Sequence, residues 1–293
     1  MAKFVIEEAT ELKGTVRIGG AKNSALPIIA ASLLAEKQSD FEEVPYLDDV
    51  KTMCELLRFL GAKVEISKEN NVLIISPGNN INGIAPYELV NKMRASFLIA
   101  GPLLARIGYA KVPLPGGCAI GLRPVDLHLK GFAAMGAEIN QGHGYVEVKA
   151  NGRLKGTKIY LDFPSVGATE NILMSAVLAE GQTIIENAAI EPEIVDLATY
   201  LISMGADIKG AGTDTIKING VKSLNGIKHS IIPDRIEAGT FMTAVAMAGG
   251  DIVLENVVPD HLKPISAKLR EAGVELSEEL SSIRVSSDGK LKA

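Results

Sequence analysis

The chain has 293 residues, 47% hydrophobic and 22% charged, with a net charge of −5. That size suits one large or two ordinary globular domains, and the charge excludes a general nucleic-acid or membrane-surface binder, which needs clustered excess Lys and Arg. Two cysteines exclude a disulfide framework, and residues 1–8 have no long apolar run of the secretory kind, so a reducing cytoplasm is expected.

In chain order, the apolar stretch 25–35 predicts a buried helix, too short and too interrupted by proline to span a bilayer. An amphipathic helix follows and ends on Gly61, with alternating segments at 63–66 and 72–75. The same order returns with an inner helix at 94–106 and an outer helix ending on Gly136. It returns again with an inner helix at 169–180, an outer helix ending on Gly205 and strands at 207–209 and 215–218. A fourth inner helix at 236–248 precedes an outer helix ending on Gly273. The four glycines, each a natural helix C-cap, recur at roughly 70 residues, a period suited to a duplicated α/β unit. Each unit reads strand, inner helix, strand, outer helix, strand, strand. Inner helices apolar nearly all round have to lie inside.

Polar residues cluster at three helix starts. Lys22-Asn23-Ser24 opens the first inner helix, Ser165-Val166-Gly167 the third, and Arg123-Pro124 the second outer helix. Helix N-termini offer free N–H groups and a positive dipole end, which suits phosphate and carboxylate, although simple N-capping explains Asn23 or Ser165 taken alone. Cys118 sits in a glycine-rich loop before Arg123, where a thiol can exchange protons; the plain alternative is a small apolar residue in a turn. Other groups read as structural. Cys54 lies on an apolar helix face, Asp234 to Glu237 fits a capping box, and Glu191-Pro192-Glu193 fits a helix start. His128 has no Cys or His partner at metal spacing, so no metal is expected. Neither a P-loop nor a dinucleotide fingerprint is present, and no cofactor is expected.

The runs GGAKNSALP (19–27), KMRAS (92–96), PGGCAIGLRPVDLH (115–128), FPSVGATEN (163–171), IENAAIEPEIVD (185–196) and IPDRIEAGTF (232–241) occur in this order. Together they resemble the UDP-N-acetylglucosamine enolpyruvyl transferases from end to end of the chain. The resemblance implies an inside-out α/β barrel of βαβαββ units, three to a domain. Residues 22–229 would form a nucleotide-sugar-binding domain of three repeats, and 1–21 with 230–293 part of a second, holding one repeat of three. The family's chains run on past residue 293. The fourth inner helix, with Phe241, Met242, Val245 and Met247, is therefore expected to be partly exposed and to lead to self-association, aggregation or loss of order there.

The implied reaction moves the enolpyruvyl group of phosphoenolpyruvate to the sugar's 3-hydroxyl with loss of phosphate. By resemblance, Cys118 is the proton donor and Lys22 and Arg123 are cations at phosphoenolpyruvate, which Asn23 also faces. Arg123, Pro124, Val125, Asp126 and Leu127 hold the uridine diphosphate sugar, with Arg94, Phe163, Pro164, Ser165, Val166 and Gly167 as further contacts. Phe163 departs from family members that carry a basic residue there. The family's aspartate base and further arginines lie beyond Ala293, so this chain is expected to bind the nucleotide sugar weakly and to turn it over at background rate. Two alternatives remain: a non-catalytic UDP-sugar-binding fragment, and the shikimate-pathway enolpyruvyl transferase, against which the cysteine loop speaks.

Overall fold

The computed structural model describes residues 3, 5, 12–114, 125–142 and 144–292. The chain divides into two compact units, Lys22–Ile232 and Met1–Ala21 with Pro233–Ala293. Strand β1 (Leu12–Arg17) is followed by α1 (Lys22–Ala31), β2 (Ser39–Glu42), α2 (Asp48–Phe59), β3 (Lys63–Ser67) and β4 (Val72–Ser76). Next come α3 (Tyr87–Val90), a 3-10 segment at Arg94–Ile99, α4 (Ala100–Ile107), β5 (Tyr109–Pro113), α5 (Asp126–Ala134), β6 (Glu138–Gly142) and β7 (Tyr145–Lys149). The third repeat holds β8 (Lys158–Tyr160), α6 (Val166–Ala176), β9 (Gln182–Glu186), α7 (Pro192–Ser203), β10 (Asp207–Lys209) and β11 (Thr215–Asn219). The last elements are β12 (Lys228–Ser230), α8 (Arg235–Ala248), β13 (Gly250–Glu255), α9 (Pro259–Glu271), β14 (Glu275–Glu278) and β15 (Ser282–Ser287).

Among the described residues four small sheets share one plan: β12-β2-β4-β3, β5-β7-β6, β8-β9-β11-β10 and β1-β13-β15-β14. In three of them a leading strand lies parallel to the first strand of the repeat, and the remaining pairs are antiparallel. The equivalence reaches single bonds. Ile18, Leu161 and Ile231, each just past its leading strand, donate their N–H to Glu255, Glu186 and Glu42. The next residues, Asn256, Asn187 and Glu43, all adopt left-handed backbone, with φ of 56°, 55° and 55°. Asn256 and Asn187 use the side-chain amide to bond the carbonyls of Ile18 at 2.7 Å and Leu161 at 2.8 Å.

The repeat glycines Gly61, Gly136, Gly205 and Gly273 all have positive φ, between 90° and 111°, as helix-ending residues without a Cβ can. Inner helices α1 and α6 are buried along nearly their whole length. The inner helix expected over 94–106 is broken into 3-10 and α pieces at Ala100. Pro102 has no N–H to give the Leu98 carbonyl, and its ring crowds that turn, so a continuous α-helix is lost there. The expected exposure of α8 is confined to one face. Ile236 and Met247 are 53% and 70% exposed and Phe241 is at the edge, whereas Met242 and Val245 are buried, covered by β13, β15 and α9 of the same unit.

Candidate functional site

Three segments of Lys22–Ile232 meet at a buried polar knot. The amide of Asn171 on α6 donates from Nδ2 to the Phe97 carbonyl at 3.1 Å and to Nδ1 of His128 at 2.8 Å. Its Oδ1 accepts from the Gly101 amide at 2.8 Å. One side chain therefore joins the 3-10 segment at 94–99, the head of α4, and α5. An amide nitrogen only donates, so His128 Nδ1 accepts and the proton of the neutral ring sits on Nε2. Burial, helped by the charge of Arg94, pushes the His128 imidazolium down to about 3, and the ring is neutral at physiological pH. Phe97 packs edge-on against it, centroids 5.2 Å apart. A Cβ at Gly167 would stand 3.2 Å from His128 Cε1 and 3.4 Å from Nε2, so a glycine at the head of α6 is what admits the ring.

Around this knot lie residues singled out in the sequence. Arg94 begins the 3-10 segment, Val125 is the N-cap of α5, and Asp126 and Leu127 form its first turn. Ser165 caps α6, its hydroxyl accepting from the Ala168 amide at 3.4 Å, and Val166 and Gly167 open that helix. Leu127 and Val125 are buried, Asp126 is exposed, and Ser165, Val166 and Gly167 are half-buried. Phe163 and Pro164 are exposed on the approach to α6. Cys118, Arg123 and Pro124 lie outside the described residues.

Lys22 and Asn23 form a separate group on the first turn of α1, which packs on the 94–99 segment and on α7. Lys22 Nζ is 3.1 Å from Asp49 Oδ2, so its charge is already partnered by a carboxylate that sequence reasoning had not singled out. Asn23 is exposed, and Pro27, four residues on, has no N–H to give its carbonyl. Cys54 is fully buried, its thiol pushed up to about 12 by desolvation, and is inert core as expected. Glu191 holds the N-cap position of α7 without a side-chain cap bond, and Pro192 opens the helix. Asp234 does cap α8, through the Ile236 and Glu237 amides, while the Glu237 carboxylate takes the Gly19 amide at 2.9 Å.

Sequence reasoning missed Glu170, the residue before Asn171. It is buried inside α6, and desolvation, then the charges of Glu193 and Glu191, hold its carboxyl well above the usual range. The signal was available: Glu170-Asn171 is a strongly polar pair in a helix otherwise made of apolar and small hydroxyl residues. A raised folded-state pKa means the folded protein keeps a proton that the unfolded chain releases near pH ~4.3, so stability falls as pH rises from there toward the folded value. Glu170→Gln is expected to flatten that slope, so that its melting temperature gains on the wild type as pH is raised above about 4.3 in calorimetric scans. Parallel slopes in the two proteins would sink this account.

The geometry is that of repeated α/β units whose inner-helix heads carry anion-suited groups, and the EPSP synthase (3-phosphoshikimate 1-carboxyvinyltransferase) family matches residues 6–293. Among solved structures, the enolpyruvyl transferase NikO from Streptomyces tendae superposes with a TM-score of 0.84 at 22% identity, over 94% of this chain and 66% of that one. EPSP synthase from Acinetobacter baumannii gives 0.75 at 23%, over 96% and 65%. At such identities these likenesses define the enolpyruvyl transferase fold alone. Identity is far higher to UDP-N-acetylglucosamine 1-carboxyvinyltransferase 1 of Caldanaerobacter subterraneus subsp. tengcongensis, 60% over 99% of this chain and 69% of the relative. It is also 60% to UDP-N-acetylglucosamine 1-carboxyvinyltransferase 2 of Carboxydothermus hydrogenoformans, over 100% of this chain and 70% of the relative. The chain belongs to the UDP-N-acetylglucosamine 1-carboxyvinyltransferase family, a family of transferases. It spans about 70% of the length of these two relatives.

Proposed function

We propose that the chain serves the transfer of the enolpyruvyl group of phosphoenolpyruvate to the 3-hydroxyl of UDP-N-acetylglucosamine, with release of phosphate, the first committed step of peptidoglycan synthesis, in the cytoplasm. The observation that carries this reading is the 60% identity to relatives of that name over essentially the whole chain. Among the described residues no helix is long and apolar enough to cross a membrane.

Adding an alcohol across the double bond of phosphoenolpyruvate needs an acid at the methylene carbon, a base at the hydroxyl and cations at phosphate and carboxylate. Cys118 is assigned the acid, and Lys22 with Arg123 the cations, beside Asn23. The nucleotide sugar is assigned to Arg94, to Arg123 through Leu127, and to Phe163 through Gly167. In that assignment the Asn171–His128 knot supports the heads of α5 and α6, keeping their N–H groups aimed at the diphosphate. No residue of 1–293 is assigned the base.

Calorimetry with UDP-N-acetylglucosamine and with shikimate 3-phosphate tests the reading. The nucleotide sugar is expected to bind, Arg94→Ala to weaken it about tenfold, as loss of one charge-assisted contact does, and shikimate 3-phosphate not to bind. Phosphate release that needs both substrates would complete the assignment. Binding without release would identify a nucleotide-sugar-binding segment, and preferential binding of shikimate 3-phosphate would overturn the substrate assigned here.

A further inference from the structure

The chain passes between its two units twice, at Ala21–Lys22 and at Ile232–Pro233. Each passage follows a leading strand and precedes an inner helix: β1 runs into α1, and β12 into α8. In the unit of Met1–Ala21 with Pro233–Ala293 the two passages are tied to each other by the bridge between Gly20 and Pro233 and by the Asp234 amide on the Gly19 carbonyl at 2.9 Å. In Lys22–Ile232 both instead meet one side chain. Asp196, on α7 and 6% exposed, accepts at Oδ2 from the Ser24 hydroxyl and from the Ile232 amide at 3.4 Å. At Oδ1 it takes His229 Nε2 at 2.9 Å. His229 in turn packs on the Tyr200 ring at 5.4 Å, and Tyr200 bonds Ser39 at 2.9 Å, so the anchor is built into the core.

We propose that Asp196 is a positioning residue that ties both passages to α7 and thereby sets the head of α1, with Lys22 and Asn23, in place. Ser24 and Ile232 are 208 residues apart in sequence, and neither has a chain-local reason to be near the other. A buried carboxylate with three donors is costly to strip of any of them, which suits it to hold segments that would otherwise fray independently. The Ser24 bond enters α1 two residues after Lys22 and one after Asn23, so freeing it loosens the turn that carries both.

Hydrogen exchange read by mass spectrometry on the full chain tests this. Asp196→Ala is expected to speed exchange about tenfold in peptides covering 21–28 and 228–234 together, as local opening of one anchored unit does. Ser24→Ala is expected to speed only the first. Asp196→Asn keeps a carbonyl oxygen for Ser24 and Ile232, and its amide can donate to His229 Nε2 once that ring takes its other tautomer, so exchange is expected to stay within about twofold of the wild type at both. A second arm, resting on the reading that Lys22 and Asn23 face phosphoenolpyruvate, measures its Kd in the presence of UDP-N-acetylglucosamine. Asp196→Ala and Ser24→Ala are expected to raise that Kd about tenfold, with Asp196→Asn restoring it and nucleotide-sugar affinity unchanged. Unchanged exchange in Asp196→Ala, or exchange raised in one passage only, overturns the proposal. Exchange raised at both with Kd unchanged supports the anchor and counts against placing phosphoenolpyruvate at Lys22.

Discussion

Asn171→Leu is expected to lower the melting temperature by roughly 10 °C, the largest loss of any single side chain in the knot. Leucine branches at the same atom as asparagine but satisfies none of its three partners, so the Gly101 amide and His128 Nδ1 lose the bond it supplied and the Phe97 carbonyl keeps only the Ala100 amide. Each orphaned group costs about 1–3 kcal/mol, and partial relaxation brings the sum to roughly 3–5 kcal/mol. Freed of its donor, His128 can also place its proton on Nδ1, and the imidazole ¹⁵N shifts should report mixed tautomers where the wild type shows Nε2–H alone. The neutral ring has an acid consequence as well. A histidine held down to about 3 leaves the folded state unprotonated while the unfolded chain takes up a proton below about pH 6.5, so its share of stability is lost as pH falls through that window. Thermal scans and NMR of the variant check both statements, and a Tm change under about 2 °C would mean that the knot is not a structural joint.

Gly101→Ala is expected to destabilise by about 3 kcal/mol, although alanine is the better helix former. The reason is the approach of α4 to α6: a Cβ at Gly101 would stand 2.5 Å from the Asn171 carbonyl oxygen and 2.7 Å from its Oδ1. Since the nearer atom is backbone, trimming the side chain opens too little room, and Gly101→Ala combined with Asn171→Ala should be no more stable than Gly101→Ala alone. Denaturant titration of the two variants decides it. Recovery of stability in the double variant would place the clash on the asparagine side chain and leave the helices free to shift.

Much of the architecture was legible because it is local. Helix-ending glycines, the caps at Ser165 and Asp234, and the strand alternation after Gly61 and Gly205 are each decided within a few residues by backbone sterics and nearby donors. The motif residues at helix heads were legible for the same reason. What stayed hidden were side chains whose partners are far off in the chain: Asn171 reaches 43 residues back to His128 and Asp196 172 back to Ser24. Lys22 read as a bare cation for want of Asp49, and the 94–106 helix read as continuous because the proline inside it was weighed less than the apolar pattern around it.

By itself the sequence determined the repeat, its order of elements and the chemistry offered at each inner-helix head, all of which follow from period, capping and residue type. Only the tertiary structure decided which leading strand serves which repeat. β1 precedes α1 in the chain yet pairs with β13, and β12 precedes α8 yet pairs with β2. Parallel pairing is made by backbone N–H and C=O groups that every residue type carries, so nothing in Leu12–Arg17 or Lys228–Ser230 names a partner strand. The exchange is set by where the chain passes between the two units, and that is a property of the packed whole.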